Sequence, residues 1–230
     1  MIPAALMWMA VAMTHAQVSP DDVLPAGGTA LQRRLAEAAI ELFYARGATA
    51  TTVRDITAAC GLTPGALYNH FSSKDYLLYV LVRDIHRQVD SGMAAVLAAA
   101  GPEPEAQLEA MVRFVVGHTA GFKKRSRVAN REFSLLTGTR RDEIRVIRRQ
   151  IRDRFARSLL LGARQGTFDL AGGRDAPAAT LVAATLTNMC VHISERTLEH
   201  YRPGVADLQD RFALMAMRIA GAGTSQPGRA

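Results

Sequence analysis

Between residues 52 and 74 the chain sets out a run of hydrogen-bonding side chains: Thr52, Arg54, Thr63, Tyr68, Asn69, His70 and Lys74. Pro64, Gly65 and Ala66 keep the middle of the run small enough for a backbone to come close to a partner. Hydroxyl, amide, imidazole and cationic tips in this order suit contacts with phosphate oxygens and base edges, not covalent chemistry. A second group, Arg141, Arg145, Arg148, Arg149 and Arg152, crowds one side of a stretch whose other side is Ile144, Ile147, Ile151 and Phe155. Guanidinium forks bind phosphate bidentately, although a merely solvated helix face has the same pattern. A third group is Cys190, His192, Glu195, Glu199 and His200, in which His192, Glu195 and Glu199 share one helix face at a spacing that could ligate a metal. No GxGxxG, Walker, HExxH or GxSxG pattern occurs, and Ser, His and Asp lie scattered, so no catalytic residue and no enzyme activity is expected.

The elements that must carry these groups are helical. Leu31, Leu35, Ala38, Ala39, Leu42 and Phe43 recur at helical spacing from Ala30 until Arg46-Gly47 stops the first helix. Thr52 and Asp55 form a capping box that opens a short second helix ending at Cys60-Gly61. Thr63 is expected to cap a third helix with Pro64 at its first position, running to Phe71, its free first amides offering a phosphate site. The three residues Gly61 to Thr63 join the two short helices, which is the connection of a helix-turn-helix whose second helix enters the major groove. A second capping box, Ser72 with Asp75, opens a long fourth helix that fades into Gly101-Pro102-Glu103-Pro104. Five further helices follow at about 106–120, 126–136, 141–165, 176–201 and 205–220. The fold expected is all-α, with a helix-turn-helix domain at 30–75, a helical domain at 76–221, an N-terminal extension at 1–29 and a tail at 222–230.

Composition and charge narrow the partners. Of 230 residues 49% are hydrophobic and 21% charged, enough for a buried core and too little charge for disorder. Two cysteines exclude a disulfide-stapled secreted domain and fit the cytoplasm. The net charge of +7 asks for an anionic partner. Residues 30–92 hold a net +1 and residues 123–164 a net +10, so the reading segment looks nearly neutral and the excess is expected to serve a ligand. The apolar run Ala4 to Met13 imitates a signal peptide but has no basic residue before it, so Met13 or a nearby residue is the expected start.

The run Thr51 to Asp75 resembles the DNA-binding signature of the tetracycline-repressor-like (TetR) family of bacterial regulators, over about 45 residues from the first helix to the start of the fourth. The resemblance implies a homodimer of about nine helices, an N-terminal reader of double-stranded operator DNA and a C-terminal domain that binds a small effector and dimerises through its last two long helices. By matching position the DNA contacts are Thr52, Arg54, Thr63, Pro64, Gly65, Ala66, Tyr68, Asn69, His70 and Lys74, with Leu62, Leu67 and Phe71 in the core. Cys60 stands where the family usually has a small residue such as Ala. Because the helix bearing Cys190 and His192 is expected at the dimer interface, no metal and no cofactor is expected.

Val128 to Phe133, the Arg-rich helix Thr139 to Phe155 and Tyr201-Arg202-Pro203-Gly204 resemble the TetR subgroup that represses lipid and steroid catabolism and is released by acyl-CoA thioesters. That implies a ligand site of Arg131, Arg148 and Arg152 for the phosphates, beside an acyl tunnel from among Phe114, His118, Phe133, Leu136, Leu159 and Met189. The alternative effector is an apolar or cationic drug, in a regulator of an efflux pump. The different-class alternative is a cationic membrane-surface protein, against which the apolar face of the Arg-rich helix is expected to be buried within the domain, leaving no membrane partner.

Overall fold

The structure is a computed structural model that describes residues 28–170, 173–194 and 204–223. The expectations for residues 1–27, for Glu195, Glu199 and His200, for Tyr201 to Pro203 and for the tail from 224 lie outside the described residues. Among those described, nine α-helices follow in order: α1 Ala30–Arg46, α2 Val53–Ala59, α3 Gly65–Tyr68, α4 Lys74–Ala100, α5 Pro104–Gly121, α6 Lys123–Glu132, α7 Gly138–Gln165, α8 Ala176–Val191 and α9 Val205–Ile219. Two short 3-10 segments follow α6 and α8, at Phe133–Leu135 and His192–Ser194. The fold is all-α, with an N-terminal helix-turn-helix and a C-terminal helical part.

Local chemistry explains where the helices begin. Thr29 caps α1 in a box with Gln32, and Gly47 closes it at φ +86°, a conformation that side chains with a Cβ rarely adopt. The Thr52 box forms as expected. The fourth helix opens differently: Ser73, one residue beyond the predicted cap, accepts the amide of Tyr76 at 3.0 Å. Ser72 and Ser73 are both competent caps, and the helix start at Lys74 selects the nearer one. Thr63 makes no side-chain cap either, and α3 is a single turn that ends at Tyr68, short of Phe71.

The chain divides into two compact units. The first holds the described residues up to Gln88 together with Phe122–Ile147. Its core is Leu35, Phe43, Ile56, Leu67, Phe71, Leu77, Val128 and Ile144, all buried. Each such side chain contributes about 1.5 to 3 kcal/mol through apolar surface removed from water. The second unit holds Val89–Gly121 and the described residues from Arg148 onward. Here α5 packs against α8 and α9, with Gln209 donating from Nε2 to the Arg113 carbonyl at 2.9 Å and Arg113 pairing with Asp210 at 2.6 Å. Gly92 lets the Phe114 ring lie directly on the α4 backbone, and Gly162 does the same for Phe168 on α7.

Candidate nucleic-acid interface

The reading element is built from one buried anchor and a polar outer face. Thr52 Oγ1 accepts the Asp55 amide at 3.2 Å while the Asp55 carboxylate accepts the Thr52 amide and hydroxyl, each at 2.8 Å. The backbone bond from Thr52, then its hydroxyl and the Arg46 guanidinium 2.7 Å away, hold Asp55 below its ordinary pKa. This fixes the start of α2 and leaves Thr52 and Arg54 exposed. Gly61, at φ +68°, turns the chain, and the Leu62 amide closes back on the Thr57 carbonyl at 2.9 Å. Leu67 is fully buried, whereas Thr63, Pro64, Gly65, Tyr68 and Asn69 are exposed and Ala66 and His70 half-buried. Tyr68 is 56% exposed, so its ring is not part of the core.

Two of the expected contacts sit differently. The amides of Ala66 and Leu67 are already paired, with the Thr63 and Pro64 carbonyls, so α3 does not open on a row of free amides. Lys74 is half-buried, its ammonium donating to the carbonyls of Ala48 and Thr51 at 2.7 Å each. It staples the α1–α2 turn and keeps one of three donors for another group. Cys60 is half-buried, its thiol 3.5 Å from the Arg34 carbonyl and pushed up in pKa mainly by burial.

The residues expected around a ligand do not fall in one compact unit. Phe114, His118, Arg148, Arg152, Leu159 and Met189 belong to the second unit; Arg131, Phe133 and Leu136 belong to the first. Leu136 is buried beside a cavity of about 340 Å³ walled by Lys74, Leu78 and Arg140. Arg131 binds the Phe43 carbonyl at the end of α1, and its Nε donates to Glu132 at 2.7 Å. Glu132, buried at 5% exposure, accepts the Ala48 amide at 3.3 Å. Sequence reading missed this latch between α6 and α1, because its partners are backbone groups more than 80 positions away.

In the second unit Phe114 and His118 are buried 5.9 Å apart, ring to ring. Arg148 and Arg152 lie one turn apart, both half-buried. Burial, and then the Arg152 charge, lower the pKa of Arg148. The buried Nε of Arg152 finds no hydrogen-bond partner among the described residues. Ile144, Ile147, Ile151 and Phe155 are buried, as the periodicity requires. Cys190 is fully buried in α8, its thiol pushed up to about 12, and no group of three metal-ligating side chains occurs among the described residues. No helix among the described residues is long and apolar enough to cross a membrane.

Comparison with known proteins assigns this arrangement to a class. Residues 35–79 match the family model for bacterial regulatory proteins of the tetR family, and residues 101–219 match that of the tetracyclin repressor-like C-terminal domain. The second match alone covers more than half the chain, and the chain belongs to the TetR family, whose members are regulators and not enzymes. The transcriptional repressor KstR2 of Rhodococcus jostii is 37% identical over 86 residues, covering 37% of this chain and 42% of KstR2. The chain thus spans about two fifths of the length of that relative. A tetR-family regulatory protein from Rhodococcus RHA1 superposes with TM-score 0.73 at 27% identity, covering 85% of this chain and all of the other. AibR, solved with isovaleryl coenzyme A and operator DNA, shares the fold at TM-score 0.67 and 22% identity, over 84% of this chain and 99% of its own.

Proposed function

We propose that this regulator is a cytoplasmic repressor that binds a palindromic operator as a homodimer and leaves it when an anionic acyl-CoA-like ligand binds the second unit. The observation that carries the DNA reading is α3: a buried Leu67 holds Thr63, Tyr68, Asn69 and His70 on an outward face. Thr52 and Arg54 at the start of α2, Pro64, Gly65 and Ala66 around the turn, and Lys74 complete the operator contacts. Phosphate contacts fix the register, and the Asn69 and His70 tips read base edges. Homodimerisation is supported by apolar side chains left outside the second unit: Leu181 on α8 and Leu214, Met215 and Ile219 on α9.

The effector reading rests on the Arg148–Arg152 pair. Two guanidinium groups a turn apart, one with a buried Nε lacking a partner among the described residues, suit the paired phosphates of a coenzyme A moiety. AibR, with its isovaleryl coenzyme A, makes a thioester the first effector to try. The test begins with selection of operator from random 40-bp duplexes, followed by thermal melting and operator release with isovaleryl-CoA, CoA and free fatty acid. A ligand at 100 times its Kd adds about 2.7 kcal/mol, a rise of roughly 5 to 11 °C for a chain of this size. Release by the thioester and not by the free acid is the expected result. Selection that enriches no inverted repeat refutes the operator reading, and melting unmoved by any CoA ester refutes the effector.

A further inference from the structure

We infer that α6 is a second phosphate-contacting element, which extends the nucleic-acid surface beyond the helix-turn-helix. The inference rests on the DNA-binding reading above. Counted by compact unit, the charge falls differently from its order along the chain. The first unit holds fifteen Lys and Arg against eight Asp and Glu among its described residues, a net +7. The second holds ten against nine. The reading unit is therefore the strongly cationic one, and eight of its fifteen cations come from residues 122–147.

Half of the ten residues of α6 are cationic, and only Glu132, at its last position, is acidic. Lys124, Arg127 and Arg131 recur at i, i+3 and i+7, which puts them on one face. That face runs along α1: Lys124 pairs with Glu41 at 2.6 Å, Arg127 lies over the Tyr44 ring at 5.1 Å and Arg131 binds the Phe43 carbonyl. Glu132 then reaches Ala48, four residues before the cap Thr52 that starts the helix-turn-helix. At 1.5 Å per residue Lys124 lies roughly 12 Å along the axis from Glu132, about one Debye length at 0.1 M salt. The Lys124–Glu41 pair is exposed on both sides, at 51% and 57%, and such pairs exchange readily for a phosphate.

A polyanion with charges at regular spacing fits a row like this, and the one already adjacent is the operator backbone. Because phosphate contacts are independent of sequence, a random-sequence 40-bp duplex is a sufficient probe. Binding of the full chain is measured by fluorescence anisotropy from 0.05 to 0.3 M salt for the parent, Lys124→Gln, Lys124→Gln/Arg127→Gln and, as a control on exposed cations of the second unit, Arg157→Gln/Arg164→Gln, with melting curves to establish that each is folded. Each lost phosphate contact lowers the slope of log K against log salt by about 0.9. The Lys124→Gln/Arg127→Gln variant is expected to lose about 1.8 in slope per chain and about 60-fold in affinity at 0.1 M salt. Lys124→Gln loses about 0.9, and Arg157→Gln/Arg164→Gln keeps the parent's slope. A parent that binds while both α6 variants keep its slope overturns the inference and leaves the regulatory reading standing. So does loss of binding to vesicles of anionic lipid with no change on DNA. A parent that binds no duplex ends both.

Discussion

Removing Arg131 tests whether the α6 latch, and not a ligand contact, is its role. In Arg131→Ala the guanidinium that spans the Phe43 carbonyl and the Glu132 carboxylate is lost. Glu132 is left with its side chain 7% exposed, the Ala48 amide its remaining described partner. Removing one partner of a fully buried pair costs about 3 to 5 kcal/mol. Arg131 is 37% exposed, so water replaces part of what it supplied, and we expect about 2 kcal/mol. Glu132→Gln keeps an acceptor for the Ala48 amide and gives up only the charge, at about 1 kcal/mol. With the orphaned charge gone, the double variant should cost about 2 kcal/mol and not the additive 3, a coupling near 1 kcal/mol. Urea unfolding at pH 7, followed by circular dichroism, reads this out, with constant m-values required for comparison. If Arg131→Ala unfolds within 0.5 kcal/mol of the parent, by this order-of-magnitude standard for surface substitutions, the latch carries no weight. Additive losses would likewise refute the pairing.

Three further outcomes follow from particular contacts. Tyr68→Phe removes an exposed hydroxyl that the proposed operator contact directs at a phosphate, so operator affinity should fall by about 1 to 2 kcal/mol per half-site with melting unchanged; retained affinity would remove Tyr68 from the contact surface. Gly92→Ala drives a methyl into the Phe114 ring, and after about 1 kcal/mol of helix propensity is gained the net loss should be about 1 to 2 kcal/mol, seen as a lower melting point; an unchanged or raised one would mean the ring moves freely. Asp84 is buried, which pushes its pKa up to about 6 against the opposing Gln88 hydrogen bond and the Arg83, Arg125 and Arg87 charges. Its folded pKa exceeds the unfolded one, so its contribution is complete below about pH 4 and is lost as pH rises through 6, a fall on the order of 2 kcal/mol that Asp84→Asn should abolish. A variant with the parent's pH slope over that interval would show that another group titrates.

The helices were legible because their signals are local. Apolar spacing, the Thr52–Asp55 box and Gly47 and Gly61 at their turns fix α1, α2 and the joint with α3 within a few residues. Where two residues offered the same chemistry, as Ser72 and Ser73 do, spacing alone could not choose between them. The outward face of α3 was legible for the same reason, since Leu67 anchors it and its neighbours are polar. Lys74 is expected as a DNA contact from its position alone, and its two carbonyl partners at Ala48 and Thr51 depend on how α4 meets the α1–α2 turn. The expected ligand set was the least legible part. Apolar residues at helical spacing mark a core as readily as a tunnel, and the Phe43 carbonyl that Arg131 binds lies 88 positions away, beyond the reach of any local spacing.

Charge shows the limit of linear reading most clearly. Along the chain, residues 30–92 look neutral and residues 123–164 strongly basic, which suggests that the cations serve a ligand and not DNA. Folding changes where that charge lies, because α6 packs on α1 and brings residues 122–147 into the unit that holds the helix-turn-helix. The Arg-rich helix α7 is itself divided: Arg140, Arg141 and Arg145 fall in the first unit, Arg148 and Arg152 in the second. In the first unit Arg140 lies over the Tyr76 and Tyr79 rings, Arg141 lies over Phe133 and Arg145 pairs with Asp142, so that end is held by local partners. At the other end burial, and then the Arg152 charge, lower the pKa of Arg148, so the two ends of the helix hold their cations in different surroundings. A single helix can thus be basic throughout while its two ends belong to different units, so substitutions at Arg148 and Arg152 and substitutions on α6 perturb different parts of the protein.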